Sequence, residues 1–173
     1  MRIAFLASAK GKDEFFEEYG KNPVDVNSVF DGIPLINSTL ANPNAEDRYI
    51  MSMFLLERGA TANVCNQQKE GPLHILFSHT EHDFSKSMIL FRTLLEHGAD
   101  VDQIDRKNRI ALHYLVSMPG TDEEIMPFLE LYLAQKPNIN IRNKWGYSPL
   151  ELAERFPYRR RFAERLREYA IVQ

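Results

Sequence analysis

The densest group of chemically active side chains in the sequence is His79, Glu81, His82 and Asp83. Two histidines three positions apart, with carboxylates beside them, are residue types that ligate zinc. The spacing fixes no third ligand, and the flanking residues predict a turn between two helices. We therefore interpret this segment as a solvated loop, and we expect the protein to hold no metal ion and no cofactor.

Nucleophilic and phosphate-binding motifs are missing from the sequence. It contains no Gly-x-Ser-x-Gly motif, no phosphate-cradling glycine loop and no dinucleotide-binding glycine pattern. Cys65 is the single cysteine and has no histidine at a catalytic spacing, so we expect the chain not to be an enzyme. One cysteine forms no intrachain disulfide, which fits a reducing compartment and predicts a cytoplasmic protein.

Charge argues against nucleic acid as the partner. The 173 residues carry a formal net charge of −3, which disfavours a general nucleic-acid binder. The arginine-rich segment from Arg155 to Arg167 could contact phosphate, but glutamates are interleaved with its arginines. We expect this segment to be the solvated outer face of a C-terminal cap, with its arginines pointing outward.

The N-terminal apolar run is too short to cross a bilayer. Lys10 and Lys12 interrupt it after about seven residues, well short of the roughly 20 that a spanning helix needs. We interpret the run as the first helix of the domain and expect no membrane partner.

The elements that position these side chains recur at a fixed period. Leu35, Leu73, Leu112 and Leu150 each lie in a similar short run, and they are 38, 39 and 38 residues apart. A second run keeps the same period, with glycines at 20, 59 and 98 and Lys136 at the next place. Self-similarity of this length predicts stacked supersecondary units that bury their apolar faces against one another.

Apolar spacing predicts two helices and a turn within each period. Gly59 and Gly98 are expected to end helices, and Thr121 with Glu124 has the spacing of a capping box. The predicted helices run from Pro34 to Leu40, Arg48 to Arg58, Leu73 to Ser78, Ser85 to His97, Leu112 to Met118 and onward from Thr121 to Gln135.

Two segments resemble the ankyrin repeat. Leu94 to Asp102 reads LLEHGADVD, and Asn143 to Leu150 reads NKWGYSPL, close to the ankyrin pattern of LLxxGADVN followed by GxTPLH. The resemblance implies an all-α ankyrin-repeat solenoid of about five helix-turn-helix units with short hairpin connectors. The period exceeds the usual 33 residues, which implies longer helices or wider turns. The units of this single domain (1–173) would span about 1–29, 30–68, 69–107, 108–144 and 145–173, the first and last being caps.

The resemblance also assigns two histidines. His74 and His113 occupy the histidine position of the pattern, where the ring hydrogen-bonds the backbone of neighbouring connectors. A buried imidazole needs such partners, so we expect a structural role for both.

Ankyrin stacks are binding scaffolds, so the resemblance implies a non-catalytic protein-interaction module that is monomeric when free. We expect an inhibitor or immunity protein that occludes a partner enzyme or toxin. The alternatives are an adaptor that bridges two proteins and a secreted, host-directed ankyrin effector. The expected partner-binding residues lie at connector tips and on the exposed faces of the first helices: Phe30, Gln67, Phe77, Arg106, Lys107, Val116, Lys144, Trp145 and Tyr147.

Trp145 is the first candidate among them, because tryptophan and tyrosine are enriched at binding hot spots. Packing of Trp145 onto the C-terminal cap is the alternative. A second candidate surface is an acidic ridge along the turns between paired helices. These acids could attract a basic partner, or they could simply stabilise helix N-termini. The ridge comprises Glu46, Asp47, Glu81, Asp83, Asp122, Glu123 and Glu124.

Overall fold

Helices make up most of the structure, a computed structural model that describes residues 2–172. In those residues the strands form one two-residue hairpin, so the prediction of an all-α protein is confirmed. Contacts divide the chain into two units, one ending at Asp100 and the other beginning at Val101. The assignment of the whole chain to one domain stays a prediction.

Three helix pairs follow one another in the first unit. They are α1 (Arg2–Ala9) with α2 (Lys12–Lys21), α3 (Leu35–Leu40) with α4 (Ala45–Leu56), and α5 (Pro72–Phe77) with α6 (Phe84–Glu96). An antiparallel hairpin of β1 (Val29–Phe30) and β2 (Ile33–Pro34) precedes α3. Helices α1, α3 and α5 pack side by side in one row, and α2, α4 and α6 in a second.

Two helix pairs make up the second unit. They are α7 (Ala111–Ser117) with α8 (Asp122–Leu133) and α9 (Pro149–Glu154) with α10 (Arg160–Val172), which a 3₁₀ turn (Pro157–Arg159) precedes. Helix α7 packs against α9, and α8 packs against α10. Each of the five predicted units therefore contains one pair of helices.

Left-handed residues end several of the longer helices. Gly59 (φ 88°) follows α4 and Gly98 (φ 90°) follows α6, as the sequence predicts. Lys136 adopts the same conformation after α8 (φ 57°), although it has a side chain. Gly20, which occupies the same place in the first period, lies inside α2, and the helix continues to Lys21.

Side-chain caps set the start of the second helix in several pairs. The amide of Asp47 donates to Asn44 Oδ1 (3.0 Å), which starts α4 three residues before the predicted Arg48. The capping box of α8 is confirmed, because Thr121 N–H donates to Glu124 Oε2 (2.8 Å) and Glu124 N–H donates to Thr121 Oγ1 (3.3 Å).

Each unit has an apolar core between its two rows of helices. In the first unit, Phe77 and Phe91 meet edge to face with ring centroids 5.0 Å apart. No helix within residues 2–172 combines the length and the apolar character that crossing a bilayer requires.

One arginine of the C-terminal segment points inward, contrary to the prediction. Arg159 is only 1% exposed, whereas Arg155, Arg160, Arg161 and Arg167 are exposed. Its guanidinium donates to backbone carbonyls around the turn that follows α7. The outward-facing cap is therefore wrong at this residue, because those carbonyls require buried donors.

Candidate protein-binding surface

The connectors between helix pairs share one hydrogen-bonded turn. In the first unit, Asn66 Oδ1 accepts from the amides of Gln68 (2.8 Å) and Glu70 (3.0 Å). The amide of Asn66 donates to the carbonyl of Glu70 (3.0 Å) and so closes the turn. An asparagine or aspartate that satisfies its own turn in this way holds the tip in one conformation.

The same turn occurs twice in the second unit. Asp105 Oδ1 accepts from the amides of Lys107 (2.7 Å) and Arg109 (2.9 Å). Asn143 Oδ1 accepts from the amides of Trp145 (3.0 Å) and Tyr147 (3.1 Å). The turns at 105 and 143 are 38 residues apart, so the period of the sequence is also a period of its backbone hydrogen bonds.

The two connector tips of the second unit lie side by side. The amide of Lys144 donates to the carbonyl of Lys107 at 2.8 Å. Behind the tips, the amide of Ile110 donates to His113 Nδ1 (3.2 Å), and His113 Nε2 donates to the carbonyl of Tyr147 (3.1 Å). The structural role predicted for His113 is confirmed, and burial lowers its pKa.

His74 plays the corresponding part in the first unit. Its Nδ1 accepts from the amide of Gly71 at 3.2 Å, at the start of α5. Both imidazoles thus occupy helix starts, where backbone N–H groups lack helical partners.

Trp145 projects from the second of these adjacent tips. It is 57% exposed, so the alternative that it packs onto the C-terminal cap is wrong. The Lys144 ammonium lies 4.6 Å from the centre of its ring. Arg106 and Lys107 are exposed on the neighbouring tip and have no ion-pair partner in residues 2–172. We call Arg106, Lys107, Lys144 and Trp145 together the basic tip.

Tyr147 lies at the edge of the basic tip. It is half-buried, and the Arg155 guanidinium lies 4.7 Å from the centre of its ring. The structure therefore brings together Arg106, Lys107, Lys144, Trp145 and Tyr147, five of the residues predicted to bind a partner.

Phe77 and Val116 were expected on exposed helix faces, and both placements are wrong. Each lies in the apolar core, Phe77 against Phe91 of α6 and Val116 within the second unit. Helix α5 packs against α3 and α6, and α7 packs against α8 and α9, so these two residues lie against neighbouring helices and not in solvent. The exposed residues next to these two are Ser78 and Ser117.

The remaining two predicted residues lie in the first unit. The Gln67 side chain is exposed, and its Nε2 donates to the carbonyl of Asp31 at 2.8 Å. Phe30 is half-buried in β1 and lines a groove beside α3. Gln67 and Phe30 therefore both lie at the β1–β2 hairpin of the first unit, and neither belongs to the basic tip.

The acidic ridge stays a prediction as a binding surface, and most of its acids are engaged in ion pairs or helix caps. In the first unit, Lys86 pairs with Glu46 and Asp83, and Lys12 pairs with Asp47 (3.4 Å). Glu81 is exposed.

The acids of the second unit are likewise engaged. Asp122 is buried and caps α10 by accepting from the amide of Arg161 (2.9 Å). Glu123 pairs with the Arg161 side chain (2.6 Å), and Glu124 closes the capping box of α8. Of the two alternatives, stabilisation of helix N-termini describes these acids better.

The histidine pair is part of the framework of the first unit. His79 Nε2 donates to the carbonyl of Leu40 (2.6 Å), and His82 Nε2 donates to the carbonyl of His79 (3.0 Å). Ser87 Oγ lies 3.2 Å from His82 Nδ1. The prediction of a solvated loop is wrong here, because both rings are half-buried. Within residues 2–172, no three His, Cys, Asp or Glu side chains are grouped as metal ligands.

No protein-family model matches the sequence, and no curated protein matches it significantly. Among solved structures, the chain is similar to a functionally unknown protein from Leptotrichia buccalis C-1013-b. The TM-score is 0.84 at 22% sequence identity, and the match covers 96% of this chain and 91% of that one. This similarity shows a shared fold and gives no function.

Acid should destabilise the first unit through these histidines. Burial lowers the pKa of His82 to about 4, and burial next to Arg48 lowers that of His79. The folded state therefore disfavours protonation, whereas the unfolded chain takes up a proton near pH 6.5. We expect stability to fall by about 1–2 kcal/mol as the pH decreases from about 6.5 to 4, with allowance for solvent screening.

Urea unfolding at several pH values measures this effect, with His82→Gln as the matched variant. The variant should lose less stability than the wild type between about pH 6.5 and 4.5. Equal losses in the two proteins would show that His82 does not carry the effect.

Proposed function

We propose that this chain is an ankyrin-repeat protein that binds another protein and catalyses no reaction. Three features support the repeat assignment: helix pairs packed in two rows within each unit, left-handed residues at helix ends, and the recurring connector turn. Repeats of this kind present adjacent tips as a continuous surface.

The observation that carries the binding proposal is the exposure of Trp145 on a rigid tip. A tryptophan that leaves most of its surface in water offers a large apolar area to a partner. The Asn143 turn and the bond between Lys144 and Lys107 already fix the backbone, so docking orders little additional chain.

The charge around Trp145 indicates the kind of partner. Lys144 lies against the ring, Arg106 and Lys107 are exposed on the adjacent tip, and none of the three has a carboxylate partner in the described residues. A complementary partner presents an apolar pocket rimmed by acidic side chains, which would also accelerate association. We propose that this partner is an enzyme or toxin, inhibited because the basic tip occludes its active site.

Bridging of two proteins is the second candidate function. It is favoured by the groove beside α3 in the first unit, whose lining contains carboxylates and no basic residue among those described. A basic tip and an acidic groove suit partners of opposite charge.

Paired baits test the proposal. Tagged wild type and a Trp145→Ala/Lys144→Glu variant are incubated with extracts of the native cell, and proteins retained only by the wild type are identified. Inhibition predicts that one of them is an enzyme whose activity falls as one equivalent of the wild type is added. Bridging predicts two retained proteins in one complex, with activity intact. Identical retention by both baits would reject the basic tip as the binding surface.

Trp145→Ala alone should weaken partner binding by about 2 kcal/mol, roughly 30-fold, because it removes a hot-spot ring. Stability should change by less than about 0.5 kcal/mol, since the side chain is exposed. Calorimetry and urea unfolding measure the two quantities. Tyr158 is the matched control, because it is 58% exposed in the same unit but lies outside the basic tip. Equal losses of affinity for Trp145→Ala and Tyr158→Ala would contradict a specific role for Trp145.

A further inference from the structure

A groove of about 440 Å3 lies beside α3 in the first unit. Its apolar lining comes from α1, the hairpin and α5, and includes Phe5, Phe30, Ile33 and Ile75. Phe5 and Ile33 are exposed. A groove of this size accommodates a short peptide segment with its side chains.

Two polar residues of α3 line this groove, at positions where the next repeat has apolar residues. Asn37 and Ser38 are both buried. The next repeat has Ile75 and Leu76 at the corresponding positions of α5, 38 residues later. Burial of polar groups costs stability unless they find partners, so their presence calls for a partner.

The hydrogen bonds within the first unit do not provide partners for all the polar atoms of Asn37 and Ser38. Asn37 Nδ2 donates to the carbonyl of Glu70 at 3.1 Å. This bond fixes the orientation of the amide, because the flipped amide would place Oδ1 against the Glu70 carbonyl oxygen. Asn37 Oδ1 is then buried without a partner in residues 2–172. The Ser38 hydroxyl makes no hydrogen bond in the described chain, but it is not among the fully buried unpartnered atoms. A donor from outside the chain would satisfy Asn37 Oδ1.

The charge of the groove is negative. Asp31 is exposed at the hairpin turn, and its carboxylate has no ion-pair partner in residues 2–172. The carboxylate of Glu70 also lines the groove and accepts from Asn66 Nδ2 at 3.0 Å. The described lining contains no lysine or arginine, so a cationic occupant is electrostatically favoured.

We propose that the groove binds an arginine side chain of a partner protein. A guanidinium brings five donors in a plane, enough for Asp31, Asn37 and Ser38 together. Its flat face stacks on aromatic rings such as Phe5 and Phe30, and its methylene stem covers apolar surface. A lysine has three donors and cannot stack in this way. The site goes beyond the proposed function, because it lies in the other unit and has the opposite charge preference from the basic tip.

A peptide titration followed by NMR tests the site directly. The probe is acetyl-Leu-Arg-Leu-amide, compared with the same peptide containing lysine or citrulline, the neutral isostere of arginine. We expect saturable shifts at the Asn37 side-chain amide and the Ser38 backbone. The citrulline peptide should bind at least about tenfold more weakly, because charge-assisted hydrogen bonds are lost. Equal affinity for the arginine and citrulline peptides, or shifts confined to other residues, would overturn the proposal.

Two variants place the peptide within the groove. Asn37→Ile/Ser38→Leu introduces the residues that α5 uses and should abolish saturable binding. Asp31→Asn keeps a residue type that tolerates the left-handed turn (φ 51°) and should weaken arginine binding about threefold to tenfold without unfolding the chain. Unchanged affinity in a folded Asp31→Asn variant would contradict the charge assignment.

Trp145→Ala should bind the arginine peptide as the wild type does. If no arginine peptide binds while the paired baits still reveal a partner at the basic tip, only the groove assignment fails.

Discussion

Replacement of Arg159 by methionine is expected to lower the free energy of unfolding by about 3–5 kcal/mol, the range for breaking a buried ionic network. Arg159 Nε donates to the carbonyl of Val116 (2.8 Å) and Nη1 to that of Gly120 (2.9 Å). Nη2 donates to the carbonyl of Met118. One side chain thus satisfies the backbone of the whole turn between α7 and α8.

The loss would be large because nothing replaces these donors. The carbonyls of Val116 and Met118 would remain buried without their partner. Asp122, whose Oδ1 lies 3.5 Å from Arg159 Nη1, would lose its nearby positive charge. Methionine fills a similar apolar volume, so the loss reports hydrogen bonding and charge more than packing.

Urea unfolding of Arg159→Met measures the effect, and Arg160→Met is the control. Arg160 is exposed and pairs with Glu164 across one helical turn (3.0 Å), an interaction worth less than about 0.5 kcal/mol. A loss of less than about 1 kcal/mol in Arg159→Met would show that the turn obtains its donors elsewhere.

The sequence contains a signal for the burial of Arg159. Phe156 and Phe162 lie three positions before and after it, which is the spacing of an apolar stripe on a helix. Arg48 repeats the case on α4: it is buried, it lies on the stripe with Met51 and Leu55, and its Nη1 donates to the carbonyl of Asn42 (2.7 Å). A charged residue on an apolar stripe therefore indicates backbone that needs a donor.

Helix positions were predictable because apolar spacing and caps act within a few residues of sequence. Exposure was harder to predict. Phe77 and Val116 are buried because α5 and α7 pack against adjacent helices, a tertiary effect that local spacing does not encode. The connector tip was predicted correctly, since Asn143 and Gly146 define its turn locally.

The partners of the ridge acids could not be predicted from local sequence for a related reason. Lys86 pairs with Glu46 over 40 positions, and Arg161 pairs with Glu123 over 38. A repeat aligns residues that lie one period apart, so most of the charges that neutralise these acids belong to a neighbouring repeat. Asn37 and Ser38 could not be predicted from apolar spacing, because they are polar residues at positions that the next repeat fills with Ile75 and Leu76.

Asp105→Ala is expected to cost about 3 kcal/mol, since it removes a buried carboxylate that anchors the first tip of the second unit. The Asp105 carboxylate accepts from two backbone amides, from Arg109 Nε (2.8 Å) and from Tyr114 Oη (2.9 Å). Alanine would leave the turn without an acceptor and the Arg109 guanidinium without its anion.

Asp105→Asn separates the contribution of the turn hydrogen bonds from that of the carboxylate charge. Asn143 shows that asparagine makes the same two backbone bonds, so this variant should cost only about 1 kcal/mol, the value of the lost ion pair. Equal losses for alanine and asparagine would show that the turn bonds contribute nothing. Asn143→Asp, the reverse change, keeps the turn at the next tip and serves as the control.

The pH dependence of the stability difference between the wild type and Asp105→Asn shows whether the ionised Asp105 carboxylate is the stabilising form. Burial alone would raise the pKa of Asp105, but the hydrogen bonds from Arg109, Tyr114 and Lys107 outweigh it and lower the pKa below its ordinary value. Stability gained from a lowered pKa is present above the unfolded-state value and is lost as the pH falls through the folded-state value. The wild type should therefore exceed Asp105→Asn at neutral pH, and the advantage should shrink below about pH 4. Because the turn holds Arg106 and Lys107 beside Trp145, partner affinity should follow the same order of variants at neutral pH: wild type, asparagine, alanine.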